Sequence, residues 1–384
     1  MDKVKLGEIA VLINGDRGKN YPSQADIMDD GEIPFVNAGH LNGKNIDFSD
    51  MNYISQEKYE KLSSGKFEKG DILYCLRGSL GKKAIVNDEV RGAIASSLVI
   101  IRPDRKKVNG DYLMYSLDAP TIREQLTKAN NGSSQPNLSA SSVREFRIEL
   151  PTLSVQEDVV KKLTKLQYVI EKRQNQIGLL DNLVKARFVE IFGDAVTNPM
   201  KWPVKKLKDL AVQINSGNTP KGGSENYVDK GITFFRSQNV WKDRLEMNDI
   251  AYIDPATHAS MSRSSLKHGD ILMTKTGRIN TENSSLGRAA IYTGEDDKAN
   301  VNGHVYFIRL KPEVNNKFVL RILVSSEYRN LIRSVCVGGI DKRQLNKEHI
   351  EDFPIICPPS DMVDKYVTFV EQIDKSKFMY IYTA

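Results

Sequence analysis

The sequence predicts an α+β protein: two similar α/β domains, related by an internal pseudo-twofold repeat and joined by long antiparallel coiled-coil helices. Three observations predict it. Motifs recur in the same order about 200 residues apart. A heptad run occupies residues 154–192 between the two copies. A shorter run of the same kind follows the second copy from residue 360 onward.

The repeat is carried by ordered matches. Lys5-Leu6-Gly7-Glu8-Ile9-Ala10 aligns with Lys206-Leu207-Lys208-Asp209-Leu210-Ala211. Gly-Asp-Ile-Leu recurs intact at 70–73 and 269–272, and Ser79-Leu80-Gly81-Lys82 aligns with Ser285-Leu286-Gly287-Arg288. Ile101-Arg102 then aligns with Ile308-Arg309, and Glu145-Phe146-Arg147-Ile148 with Asp352-Phe353-Pro354-Ile355. A unit this long is a whole domain with its connector rather than a solenoid repeat. The boundaries that follow are a first domain at 1–150, a central helix at 151–193, a second domain at 194–357 and a short distal helix at 358–384.

Within each domain, residues 94–101 and 304–308 read as β-strands, and Gly-Asp before Ile-Leu reads as a turn feeding a strand. Residues 112–127 and 318–335 carry helical spacing. The central helix is expected to open on Ser154-Val155-Gln156-Glu157 as a capping box after Pro151, and to close on Gly193. Its apolar seam is Val155, Val159, Leu163, Leu166, Ile170, Ile177, Leu180, Val184, Phe188 and Ile191, at heptad steps. A helix of ~38 residues is about 57 Å long and needs a partner for such a stripe. The distal helix, opening at Pro358-Pro359-Ser360-Asp361 with Met362, Tyr366, Val370 and Ile373 on one face, is the candidate partner. A dimerisation coiled coil is the plainer alternative.

No stretch approaches the ~20 apolar residues of a membrane span. The N-terminal residues have no signal-peptide core, and three widely spaced cysteines (Cys75, Cys336, Cys357) fit a reducing cytoplasm rather than a disulfide framework or a zinc cluster. Net charge is +6, and residues 1–150 balance 21 basic against 21 acidic side chains, so a nucleic-acid surface would have to be local.

With Gly132-Ser133-Ser134-Gln135-Pro136-Asn137-Leu138 and the helix carrying Gln156, these ordered motifs resemble the specificity subunits of Type I restriction-modification systems over nearly the whole chain. The resemblance implies two target-recognition domains on a helical spacer and a split, asymmetric double-stranded DNA target. It also implies two docked modification (methyltransferase) subunits that hold S-adenosylmethionine, and optional restriction subunits. The chain itself would bind no cofactor and catalyse nothing. The short distal helix departs from the family pattern and puts the second docking position in question.

Base readout and phosphate contact need Arg, Lys, Asn, Gln or Ser on loops. Loops at matched positions offer them: Arg77 and Ser79 against Lys275 and Arg278; Asn131, Ser134 and Gln135 against Lys342 and Arg343; Asn37 against Arg236 and Gln238. Solvated turns favour the same residue types. The spacer and partner-helix candidates are Val159, Leu163, Leu166, Ile170, Ile177, Leu180 and Val184 with Tyr366, Val370 and Ile373. No phosphate loop, methyltransferase tetrapeptide, nuclease carboxylate–lysine set or histidine metal spacing is legible. A stand-alone DNA-binding repressor and a coiled-coil adaptor remain the rival readings.

Overall fold

The computed structural model describes residues 3–130, 136–279, 281, 283–339 and 342–382. The chain divides into two compact units, Met1–Lys172 and Arg173–Ala384. Each is built on the same plan.

In the first unit an antiparallel sheet has the strand order Ala10–Asn14, Leu98–Pro103, Ile72–Cys75, Lys83–Ile85. Its central strands are buried on both faces, which explains their unbroken apolar runs. Alternation sorts the side chains. Ile72, Tyr74, Val99 and Ile101 pack against helices, while Leu73, Cys75, Leu98 and Ile100 pack against a second sheet. That second sheet contains a parallel pair, Ile33–Val36 with Gly92–Ile94. The second unit repeats the division, with Ile271, Met273, Tyr306 and Ile308 on the helical side and Leu272, Val305 and Phe307 on the other. Its parallel pair is Ile232–Phe235 with Ala299–Val301.

The single strand expected over 94–101 is therefore two strands in two sheets. The chain leaves the first at Ile94 and enters the other at Leu98, turning where the Leu98 N–H donates to the Ala95 carbonyl at 3.0 Å. The helical run expected over 112–127 is likewise two helices, α1 (Gly110–Ser116) and α2 (Pro120–Ala129). Pro120 can begin a helix but cannot sit inside one.

The long helix α3 spans Leu153–Phe192. It starts one residue before Ser154, so the expected capping box does not form. Gln156 does something else: it is fully buried, accepts from the Asn109 N–H at 2.8 Å, and donates to the carbonyls of Pro151 (2.8 Å) and Lys107 (3.2 Å). Val159 and Val160 pack on the first core, and the Tyr115 hydroxyl lies 3.2 Å from Thr164 Oγ1. These anchors, rather than the apolar count, decide which face turns inward. Leu163 stays half-buried, but Val155, Leu166 and Ile170 of the expected seam are exposed, the last two by 58% and 55%. Gln156→Met is expected to cost about 1–2 kcal/mol, because the Asn109 N–H and the Lys107 carbonyl lose their partner. Faster hydrogen exchange over 109–113 would report it, and unchanged exchange would refute the anchor.

In the second unit, helices α4 (Asn316–Leu323), α5 (Ser326–Val335) and α6 (Ser360–Tyr382) follow the sheet order of the first. Phe188 and Phe192 of α3, Phe318 of α4 and Tyr366 of α6 form one aromatic cluster with ring centroids 5.0–5.7 Å apart. The Tyr366 hydroxyl donates to the Val184 carbonyl at 3.3 Å, and Lys377 pairs with Asp181 at 2.6 Å. Moving forward along α6 thus moves backward along α3, so the two segments run antiparallel. Val184 and Val370 are buried there, with Ile177, Leu180 and Ile373 half-buried. Gly193, at φ +74°, ends α3, with its N–H on the Val189 carbonyl. Among the described residues no helix is long and apolar enough to cross a membrane.

Candidate nucleic-acid interface

The repeated motifs turn out to hold one another. Asp71 of Gly-Asp-Ile-Leu takes two bonds from the Arg102 guanidinium, at 2.8 and 2.7 Å, and Asp270 takes two from Arg309, at 2.9 and 2.7 Å. Both carboxylates are 1% exposed. These bidentate pairs lock the turn before one central strand to its neighbour, so the motifs are scaffold and leave contact with a ligand to the loops between them.

Three loops converge at one edge of each unit. Past the central strand, the Leu76 N–H donates to Ser97 O, and Leu76 O accepts from the Leu138 N–H. The matched residue Lys275 donates to His304 O and accepts from the Leu345 N–H. In the first unit Arg77 bridges Asn137, and the Gly78 N–H, at φ +77°, reaches Pro136 O at 3.1 Å. Asn131, Ser134 and Gln135 lie outside the described residues, but the chain on their far side is thereby tied to the Arg77 loop. In the second unit Thr276–Gly277, Arg343–Gln344 and Val337–Gly338 form a small antiparallel sheet, which joins the Arg278 and Lys342 loops. The third loop enters through Lys82, whose ammonium donates to Ala38 O at 2.9 Å, and through Ser237, whose hydroxyl lies 3.5 Å from His304 O.

The sequence candidates separate into two groups here. Arg77, Ser79, Arg278 and Lys342 are exposed, and their side chains bond to nothing among the described residues. The other described candidates are engaged internally. Asn37 accepts from the Gly39 N–H at 2.7 Å. Arg236 pairs with Asp249, which also takes a bond from Gln238 at 2.9 Å. Arg343 reaches Cys336 O at 3.5 Å, and Lys275 lies over the Tyr306 ring at 5.7 Å. Asn37 and Arg236 hold equivalent places because each opens a short turn whose fourth residue accepts from its own N–H, His40 Nδ1 at 3.1 Å and Asn239 Oδ1 at 3.0 Å. Burial pushes the His40 imidazole below its ordinary value, which keeps Nδ1 free to accept.

Sequence reasoning missed Lys82 and Arg288, although both stand in a quoted motif. It also missed Trp241, which lies under the Arg288 guanidinium at 3.9 Å. The loop between Gly-Asp-Ile-Leu and Ser-Leu-Gly differs most: the offset between the halves rises from 199 residues before it to 206 after it, so the second unit presents a longer edge.

The family model for the Type I restriction modification DNA specificity domain matches residues 1–178 and again 199–379. The MjaIX specificity subunit of a type I restriction enzyme from Methanocaldococcus jannaschii is 24% identical over 342 residues, 83% of this chain and 74% of that protein. The StySPI specificity subunit from Salmonella potsdam is 20% identical over 382 residues, 93% and 79% of the two chains. The crystal structure of the S subunit of a Type I restriction-modification system from M. genitalium matches in fold with a TM-score of 0.54. It is 14% identical and covers 99% of this chain and 90% of that one. A chain from a study of complex assembly and conformational transition of the type I R-M system matches with a TM-score of 0.53 at 18% identity, covering 98% and 90%.

Proposed function

From its membership of the Type I restriction-modification DNA specificity family, shown by two matches that together span most of the chain, we propose that this protein reads an asymmetric, bipartite double-stranded DNA sequence and catalyses nothing itself. Each unit reads one half. The observation that carries this reading is the pair of equivalent loop edges with unlike exposed residues, Arg77 and Ser79 in one unit and Arg278 and Lys342 in the other. Equivalent frames with different reading residues suit two different half-sites. A repressor acting as a dimer of identical chains would need no such divergence within one chain.

The helices α3 and α6 are proposed as the docking spine for two modification subunits, which supply S-adenosylmethionine and the methyl transfer, with restriction subunits as further partners. The exposed Leu166, Ile170 and Leu179 of α3 support a protein-binding spine.

Co-expression with the neighbouring methyltransferase gene tests the proposal, through the mass of the purified complex and methylation mapping of genomic DNA. One chain with two methyltransferases, marking a split asymmetric sequence, is the expected result. A lone chain that leaves no bipartite mark would overturn it.

A further inference from the structure

A group of cations in the second unit lies beside the reading loops and is used by none of the roles above. Lys185 of α3 and Lys242 of the turn joining Val240 to Leu245 line one pocket. Trp241, next to Lys242, is flanked by the guanidinium groups of Arg288 at 3.9 Å and Arg244 at 5.1 Å. Arg329 and Arg333 stand one turn apart on α5, and the Arg329 guanidinium donates to Thr281 O at 3.3 Å, within the longer reading loop. Among the described residues Lys185, Lys242 and Arg333 form no ion pair with a carboxylate. Of the acids lining the same pocket, Asp181 pairs with Lys377 and Asp243 with Arg321, Asp194 accepts from the N–H groups of Val196 and Thr197, and Glu327 accepts from the Ser326 hydroxyl. The group is self-repelling. Partial burial, then the charges of Arg329, Lys185, Arg288 and Arg333, push the Lys242 ammonium below its ordinary value.

Like charges gathered this closely are costly until an anion joins them. Duplex DNA offers a dense row of anions, one charge per ~1.7 Å of axis, and is what a loop edge reading base pairs would bring alongside. We infer that Lys242, Arg333 and their cationic neighbours grip the DNA backbone next to the half-site read by the second unit, an anchor that is two charges weaker at the equivalent place in the first unit. In the first unit the positions equivalent to Lys242 and Arg333 hold the uncharged Gly43 and Thr127, while those equivalent to Arg288 and Arg329 keep a cation, Lys82 and Arg123. This inference rests on the proposed DNA-binding function and adds to it an unequal division of labour: the second unit supplies more of the salt-dependent affinity.

The test is duplex binding by the full chain in its methyltransferase complex, measured across a salt series for wild type and for Lys242→Ala/Arg333→Ala. The duplexes carry the full target, each half-site alone, or neither. Losing two phosphate contacts is expected to make the slope of log K against log salt shallower by about 1.8. Affinity should fall by one common factor on every duplex, with discrimination unchanged. Lys242→Arg/Arg333→Lys, which keeps both charges, should keep the wild-type slope. An unchanged slope in the alanine variant overturns the inference, as does a loss confined to one half-site, which would mean base reading. Loss of methyltransferase from the variant complex overturns it in favour of a protein contact. A wild-type complex without sequence discrimination would instead bring down the functional reading on which the inference stands.

Discussion

Asp270→Ala is expected to destabilise the second unit by about 3 kcal/mol, because it leaves the half-buried Arg309 guanidinium without a counter-charge, held only by the Ser265 carbonyl and Gln213 Oε1. Asp270 holds that guanidinium through two bonds and also accepts from the Lys267 N–H at 2.7 Å. Removing it leaves a cation near a second cation, since Lys267 stands where the first unit has an acid. In the first unit Glu68 occupies the equivalent place and lies 3.2 Å from Arg102, so it can take over part of the lost pairing. Asp71→Ala should therefore cost about 1 kcal/mol less than Asp270→Ala, the worth of a partly exposed ion pair. Both tryptophans, Trp202 and Trp241, lie in the second unit, so urea unfolding followed by tryptophan fluorescence reads that unit selectively. Arg309→Met added to Asp270→Ala should restore much of the loss, because a neutral side chain needs no counter-charge. A double variant no better than the single one would show that the cost lies in the turn and not in the buried charge.

The same pair shows how much could be seen in the sequence. Gly-Asp-Ile-Leu and Ile-Arg were visible as repeats, and their repetition correctly marked two copies of one fold. That the Asp of one bonds the Arg of the other was not visible, since 31 residues separate them in the first unit. The helix α3 was legible because heptad spacing persists over ten turns. Its inward face was less so: Gln156 and Thr164 find polar partners on the first domain, and this turns Leu166 and Ile170 outward against the apolar count. The breaks at Ala95–Ser97 and at Pro120 interrupt runs whose composition looks continuous, and only Pro120 announces itself. The site was half legible. Matched loops did converge, but Asn, Gly and Arg serve turns as readily as ligands, and only side-chain geometry separates the capping Asn37 and the Asp249-bound Arg236 from the exposed Arg77 and Arg278.

That separation yields the second prediction. Arg77→Ala and Arg278→Ala are expected to weaken recognition of different half-sites. A bidentate arginine–base contact contributes about 1–3 kcal/mol of discrimination, so each variant should lose about 5- to 150-fold on duplexes carrying the half-site it reads. The decisive feature is non-additivity. If Arg77 reads a base, then Arg77→Ala should lose nothing further on a duplex already altered at that base, while keeping full sensitivity to changes in the other half. Arg278→Ala should show the mirror-image pattern. Both side chains are exposed and form no bond among the described residues, so neither substitution removes a contact seen there, and a fall in binding is assigned to the DNA. The flanking glycines differ in role: Gly78, at φ +77°, sets the turn that presents Arg77, whereas Gly277 is paired in a short strand before Arg278. Gly78→Ala should therefore reproduce part of the Arg77→Ala loss by moving the guanidinium without removing it. Equal loss on every duplex would reassign either arginine to the backbone.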